Sequence, residues 1–406
     1  MSKIRVLAVS PDPYGVGKFR IMDPYKYIGD HFMDEIHVDL SYNVANADEN
    51  FDGYDVVVLH SFIHQLPHEE NVKRIKWLKD KGIKVIVDID DFWSVDQTHP
   101  MFHKIRVDKI PEKKVELLKL ADYITTTTPI FAKTIQDRLG VKNVHVFPNA
   151  VDPDEPQFRP DPIPSDKLRF GWLGGSSHLH DLEMMSKNIG SMIYSDKLQF
   201  VLCGFDLRGV VNEVNSVTKE TKQRNILPTE TVWYQYEKFF TDDYKALDPD
   251  YASYLQKYVK EPYDTLTKPY IRRWTEEVSK YASNYNYFDV SLAPLRDSFF
   301  NANKSQLKII EAGFHKKAII ASDVKPYTLD LISAYDGGKL NDKGNALLVS
   351  PNKNHKQWGQ HIKFLANNPN LIKELGERLY ETVKDKYSLP KVCKDRVEFI
   401  KSIINK

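Results

Sequence analysis

The stretch "NAVDPDEPQFRPDPIPSDK" (149–167) decides how the rest of the chain is read. It holds five prolines and a run of acids, with neither helical nor strand periodicity. On both sides of it short apolar runs alternate with helical patterns. Before it, "IRVLAVS" (4–10), "YDVVVLHS" (54–61), "KVIVDID" (84–90), "DYITTTT" (122–128) and "NVHVFPNA" (143–150) read as buried parallel strands. Segments such as "HEENVKRIKWLKDKG" and "PIFAKTIQDRLG" lie between them with helical spacing. After it the alternation restarts with "KLRFGWLGG" (167–175), "LQFVLCGF" (198–205), "FDVSLAPL" (288–295), "KAIIASD" (317–323) and "NALLVSP" (345–351). The fold class predicted is α/β, with two doubly wound Rossmann-like domains facing each other across a cleft. Their bounds are 1–155 and 167–388, joined by a linker at 156–166. Residues 206–268, rich in Tyr, Lys and Glu, break the rhythm and are predicted to be a mainly helical insertion. Pro390 sets off a last segment, 389–406, expected to pack as a helix toward the first domain.

The bulk numbers narrow the function. A chain of 406 residues, 41% hydrophobic and 28% charged, has a soluble globular composition. A formal net charge of +1 argues against nucleic acid as a partner. Two isolated cysteines form neither a disulfide framework nor a zinc spacing, which suits a reducing compartment. No apolar run is long enough to span a membrane, and "MSKIRVLAVS" begins directly on a strand pattern, so a secretory leader is not expected. The location expected is cytoplasmic, with room for peripheral contact at the inner membrane face.

Ligands of doubly wound sheets bind beyond the carboxyl ends of the strands, so the residues there are the candidates. After the first strand, "PDPYGVGKFR" offers Gly15 and Gly17 for close backbone approach and Arg20 for charge, against the plainer reading of a surface turn. After "KVIVDID", Asp88, Asp90 and Asp91 cluster with His99 nearby; they could bind a metal, remove a proton or hold sugar hydroxyls, or simply cap a loop. After "KLRFGWLGG", Gly174 begins a tight turn followed by Ser177 and His178. After "FDVSLAPL" comes "NANKSQLKIIEAG" (301–313), where Lys304, Lys308 and Glu311 fall within roughly 60° of one another on a helix. Ser305 is expected to cap that helix, and a lysine at its positive end makes sense beside an anion. Arg273, in "KPYIRRWTEEV", is read as opening a helix and able to reach a diphosphate.

The order of these parts resembles the GT-B glycosyltransferases, family 4 with its family 1 relatives. The residues that carry the likeness are "ADYITTTTPIFAKTI", "VFPNAVD", "FGWLGGSSHLHDL" and "KSQLKIIEAGFHKKAIIASDVKPY", in that order, with "NALLVSP" later. The resemblance implies transfer of a sugar from a nucleotide-diphosphate sugar; the reading adopted is retaining transfer to a glycan or lipid-linked acceptor, with no cofactor and no metal, because Lys304, His178, the Gly15–Gly17 loop and helix N-termini can meet the leaving diphosphate. The donor would sit on the second domain and the acceptor on the first. Glu311 matches the second glutamate of the family's E-x7-E motif, which holds the donor ribose; the first falls at Asn303. The usual Arg/Lys pair is missing from "GWLGGSSHLHDL", which leaves its phosphate role to Ser177, His178 and Lys304. The first domain's catalytic-face histidine would align near Asp90. The same architecture also serves nucleotide-sugar epimerases, inactive glycan-binding proteins and transferases that glycosylate DNA bases.

Overall fold

The computed structural model describes residues 3–42, 51, 53–63, 66–99, 101–185, 189, 197–206, 209–214, 220–227, 230–240, 270–336, 338–352 and 356–405. The first half folds around six parallel strands: β1 (Ile4–Val9), β2 (Ile36–Ser41), β3 (Val56–His60), β4 (Lys84–Asp88), β5 (Tyr123–Thr126) and β6 (Val144–Val146). Their order across the sheet is β2-β1-β3-β4-β5-β6. The second half holds β7 (Leu168–Leu173), β8 (Leu198–Phe205), the antiparallel pair β9 (Val210–Val214) and β10 (Thr221–Asn225), then β11 (Tyr270–Trp274), β12 (Val290–Ala293) and β13 (Ala318–Ser322). It ends with the small pair β14 (Tyr335–Asp336) and β15 (Lys339–Leu340), followed by β16 (Leu347–Val349). Six of these form a second parallel sheet in the order β11-β8-β7-β12-β13-β16. Both sheets are doubly wound α/β units of the Rossmann kind.

Continuous Val, Ile and Ala runs build these strands because helices cover both sheet faces. All of β3 and all of β13 are buried. One face of the first sheet packs Leu7, Val57 and Leu59 against Ile75, Leu117 and Phe131 from its helices. The other packs Val6, Val58 and Ile86 against Tyr25, Ile28 and the last helix, Leu389–Ile404. In the second sheet Phe170, Trp172 and Leu202 meet Trp358 on one face, and Val201 and Ile319 meet Ile310 and Tyr285 on the other.

Two strands of the parallel sheets lie outside the sequence reading. Edge strand β2 has only Ile36 fully buried, so its apolar signal is faint. Segment "YIRRW" is β11 and not the start of a helix, which corrects the placement of Arg273. Its parallel pairing with β8, Ile271 opposite Val201, overrides the helix-like run of charges that follows. Within 206–268 the described part holds the β9–β10 hairpin and one helix, Val232–Phe240; residues 241–269, on which most of the helical expectation falls, lie outside the described residues.

The proline-rich connection is packed rather than loose. Gln157 and Phe158 are buried, the Gln157 Nε2 donates to the Val278 carbonyl, and the Ile163 amide donates to Asn286 O. Where the connection leaves the first sheet, Val151 pairs with Ser388 of the returning chain. From there Leu389–Ile404 packs along Asp23–His31, with Lys401 paired to Glu35 at 2.6 Å. Among the described residues, no helix is long and apolar enough to cross a membrane.

Candidate active site

The strand order reverses beside β1 in the first sheet and beside β7 in the second, and the chain after each of these strands lines one cleft of about 690 Å³. Tyr14, Gly15, Asp90 and Asp91 line it from the first domain. Gly174, His178, Lys304, Lys308 and Glu311 face them from the second.

On the first side, the glycine stretch turns directly into helix. Gly15–Gly17 leads through a single π turn, Lys18–Met22, into Asp23–His31. A Cβ on Gly17 would collide with the Asp12 carbonyl, so this glycine serves close packing and not a ligand. Arg20 reaches the cleft wall, but its charge is already matched. Its Nε and Nη2 donate to the Asp88 carboxylate at 2.9 and 2.6 Å, and its Nη1 donates to Phe147 O and Asn149 Oδ1. Both side chains are fully buried. Burial opposes the Asp88 charge, yet Arg20 overrides it and holds that carboxyl below its usual range. Arg20 is therefore not a free phosphate ligand, and Asp88 is not free for an acceptor.

Asp90 and Asp91 remain in the cleft, with different environments. Burial pushes Asp90 up, but the His60 Nε2 hydrogen bond at 3.1 Å and the nearby positive charges outweigh it and keep the carboxyl ionised. Asp91 is pushed up by burial and by Asp90 beside it. The two adjacent carboxylates have opposed shifts, which leaves Asp91 the better proton acceptor of the two. His60 was invisible as a site residue in the sequence, although it ends a strand. Among the described residues, no cluster of three or more acids, histidines and cysteines could hold a metal ion.

On the second side, the helix begins at Leu307 and not at Lys304. Ser305 is not its cap: its hydroxyl accepts from Asn149 Nδ2 at 3.0 Å, a bond that joins the two domains. Lys304 sits in the turn between two helices, 5.0 Å from the Phe300 ring centroid. Lys308 donates to the Leu173 carbonyl and lies 5.2 Å from the Trp172 ring. Burial brings this lysine down to about 8, against the pull of Glu311 and with the help of Lys304. Glu311 is pushed up by burial, while Tyr281 and Tyr285 each donate a hydroxyl to it and resist the shift. Each carboxylate oxygen still has a lone pair for a further donor. The face of the Leu307–Phe314 helix thus presents ammonium and carboxylate side by side, which suits a phosphate next to a pair of hydroxyls.

Other candidates fall elsewhere. Ser177 is exposed outside the cleft lining. His99 packs on Phe300 with ring centroids 5.7 Å apart and accepts from the Met101 amide. Arg273 donates to Asn284 Oδ1 and lies over Tyr287, held there by β11. Asn303 is buried and donates its amide to Phe299 O at 2.7 Å, closing the short helix before it. Asn149, Tyr281 and Tyr236 were missed. The first stood in a quoted motif without a role, and the tyrosines had no spacing signal.

No protein-family model and no curated protein matches the chain. Solved structures match along its whole length. Sucrose-phosphate synthase from Thermosynechococcus elongatus superposes with a TM-score of 0.62 at 12% identity, covering 99% of this chain and 100% of that one. HepE from Anabaena, solved with UDP, gives 0.57 at 11% identity, with 99% and 100% covered. An α-glucosyltransferase solved with UDP and a 13-mer DNA containing an HMU base gives 0.61 at 13% identity, with 100% of each chain covered. The fold is GT-B.

The buried pair gives a stability prediction. Arg20→Ala or Asp88→Ala leaves an uncompensated buried charge and should cost about 3–5 kcal/mol in denaturant unfolding. The double change Arg20→Met with Asp88→Leu should cost less than either single one. Equal or additive losses would contradict the pairing.

Proposed function

We propose that the chain is a glycosyltransferase that moves a sugar from a nucleotide-diphosphate sugar to a hydroxyl acceptor. One observation carries this reading: Lys304, Lys308 and Glu311 lie together at the carboxyl end of the second sheet, facing Asp90 and Asp91 across the cleft. Glu311 would take the ribose hydroxyls, and the two lysines would take the diphosphate. GT-B neighbours solved with UDP and UDP-glucose support the donor class.

The reaction follows from those charges. As the bond from the sugar's anomeric carbon to the phosphate oxygen breaks, negative charge grows on the leaving diphosphate. Fixed ammonium groups stabilise it without reorganisation and without a metal ion. Asp91 accepts a hydrogen bond from the acceptor hydroxyl and draws its proton as the new bond forms. Asp90, held ionised by His60, keeps the basicity of Asp91 high. Retention of the anomeric configuration is our expectation; it requires the acceptor oxygen to approach on the face from which the diphosphate departs, and NMR of the product tests it. A glycan or lipid-linked alcohol is the acceptor we favour. A hydroxymethylated base in DNA is the second reading, supported by the neighbour solved with DNA, and opposed by the near-neutral charge. Peripheral membrane contact belongs to the lipid-linked case.

Calorimetry with UDP tests the donor site. Glu311→Ala should weaken UDP by about 1–3 kcal/mol, the range for hydrogen bonds to a charged group. Lys308 loses its proton near pH 8 in the empty protein. A bound diphosphate favours its charged form, so UDP binding should take up a proton. Affinity should fall above pH 8 by up to about tenfold per unit. Lys308→Ala should flatten that profile; a flat profile in the wild type would remove Lys308 from the site.

Release of free nucleotide from UDP- and GDP-sugars tests the chemistry. Turnover should persist in EDTA. Asp91→Asn should slow transfer at least about a hundredfold, the lower end for losing a general base, with UDP affinity unchanged. Loss of turnover in EDTA with rescue by manganese would make the acid pair a metal site instead.

A further inference from the structure

His178 is the cleft residue that the charge pattern does not explain. It stands between two lysines' influence and an acid, yet it is neither a cation nor a donor toward the cleft. Its Nδ1 lies 2.7 Å from Asp181 Oδ2. The other Asp181 oxygen accepts from the Arg296 amide at 2.9 Å and from Asn301 Nδ2 at 3.2 Å. Asp181, held ionised and already met by two donors on Oδ1, can only accept at Oδ2, so the proton sits on His178 Nδ1. Burial brings the ring down to about 4, with Lys308 and Lys304 adding to the effect, and Asp181 is held below its usual range. The imidazole is therefore neutral. Its Nε2 carries a lone pair, makes no hydrogen bond among the described residues, and belongs to a side chain that lines the cleft.

The backbone of the same residue is fixed from a different part of the chain. Tyr236, on the helix Val232–Phe240, accepts from the His178 amide at 3.0 Å and donates to Gly175 O at 3.0 Å. It is wedged edge-on against Trp172, with centroids 5.4 Å apart, and against Trp233 at 4.9 Å. The His178 amide is thus closed to an anion, and the helix it precedes, Leu179–Leu182, is a single turn. A phosphate gains nothing from a neutral acceptor and a blocked amide. A hydroxyl does.

We infer that His178 reads a hydroxyl of the transferred sugar: Nε2, the ring nitrogen left open by the Nδ1–Asp181 bond and held in place through Tyr236, accepts a hydrogen bond from one O–H of the sugar ring beside the diphosphate. This rests on the nucleotide-sugar reading above. It makes His178 a specificity-determining residue, because an acceptor nitrogen rejects a sugar that lacks that hydroxyl or places it elsewhere.

The test uses the full chain, with UDP, GDP, UDP-glucose, UDP-N-acetylglucosamine and GDP-mannose titrated into wild type and His178→Ala. The sugar nucleotide that binds best is then compared with its deoxyfluoro analogues, in which fluorine cannot donate. The variant should bind the bare nucleoside diphosphate as the wild type does, and the sugar nucleotide about tenfold more weakly, the loss of one hydrogen bond. One analogue should bind the wild type equally weakly, with no further loss in the variant. Nitrogen-15 NMR of His178 needs no variant. It should show the proton on Nδ1, and an Nε2 resonance that moves with the sugar nucleotide but not with the bare diphosphate. Equal losses for diphosphate and sugar nucleotide, no sensitive analogue, or no gain from any sugar would overturn the inference while nucleotide binding stands. A wild type that binds no nucleoside diphosphate would overturn the reading beneath it as well.

Discussion

The Arg20–Asp88 pair sets the geometry on which the cleft depends. Asp88 ends β4 and also accepts from Thr125 of β5 at 2.6 Å. Arg20 ties the first helix to that strand and, through Phe147 O and Asn149 Oδ1, to the chain leaving β6. Asn149 passes the connection on to Ser305 in the second domain. Thr125, Asp88, Arg20, Asn149 and Ser305 thus form one hydrogen-bonded line across both domains. Removing a guanidinium from water is costly, and only this many acceptors in fixed places make it tolerable. The arrangement fixes where Gly15, Asp90 and Asp91 stand relative to Lys304.

With that frame set, the cleft divides by charge. Lysine and a hydrogen-bonded glutamate line the second-domain wall, and two acids line the first. Each charged group lies in a partly dry site, where its neighbours decide its protonation. Burial brings Lys308 down to about 8, so its charge is sensitive to its neighbours near that pH. His178, at about 4, does not respond in the neutral range and acts as a dipole with a fixed lone pair. Asp90 and Asp91 split because His60 reaches only the first of them by hydrogen bond.

The aromatic wedge from Val232–Phe240 shows how a segment outside the common plan can shape the site. Trp172, Trp233 and Tyr236 stack edge to face under the Gly174–Gly175 turn. A side chain on Gly174 would meet the Trp172 ring and the Lys308 ammonium, so the turn requires its glycine there. Tyr236 then closes the turn with two hydrogen bonds.

What the sequence determined by itself was the part governed by local rules. Apolar runs bounded by turns placed ten strands, because a parallel strand buried on both faces needs an unbroken apolar stretch. The rule that ligands meet strand ends then brought out Asp90, Asp91, Gly174, His178, Lys304 and Glu311, all of which line the cleft. Tertiary structure decided which charges are free. Arg20 and Asp88 looked like ligands because sequence does not display pairing between residues 68 positions apart. Ser305 looked like a cap until Asn149 claimed its hydroxyl from 156 positions away. Arg273 looked helical until β8 offered its edge. Tyr236 and His60 had no signal because their roles consist of long-range hydrogen bonds, and no periodicity encodes those. Strand and helix follow from neighbours in sequence, whereas the availability of a charge follows from neighbours in space, which only the folded chain supplies.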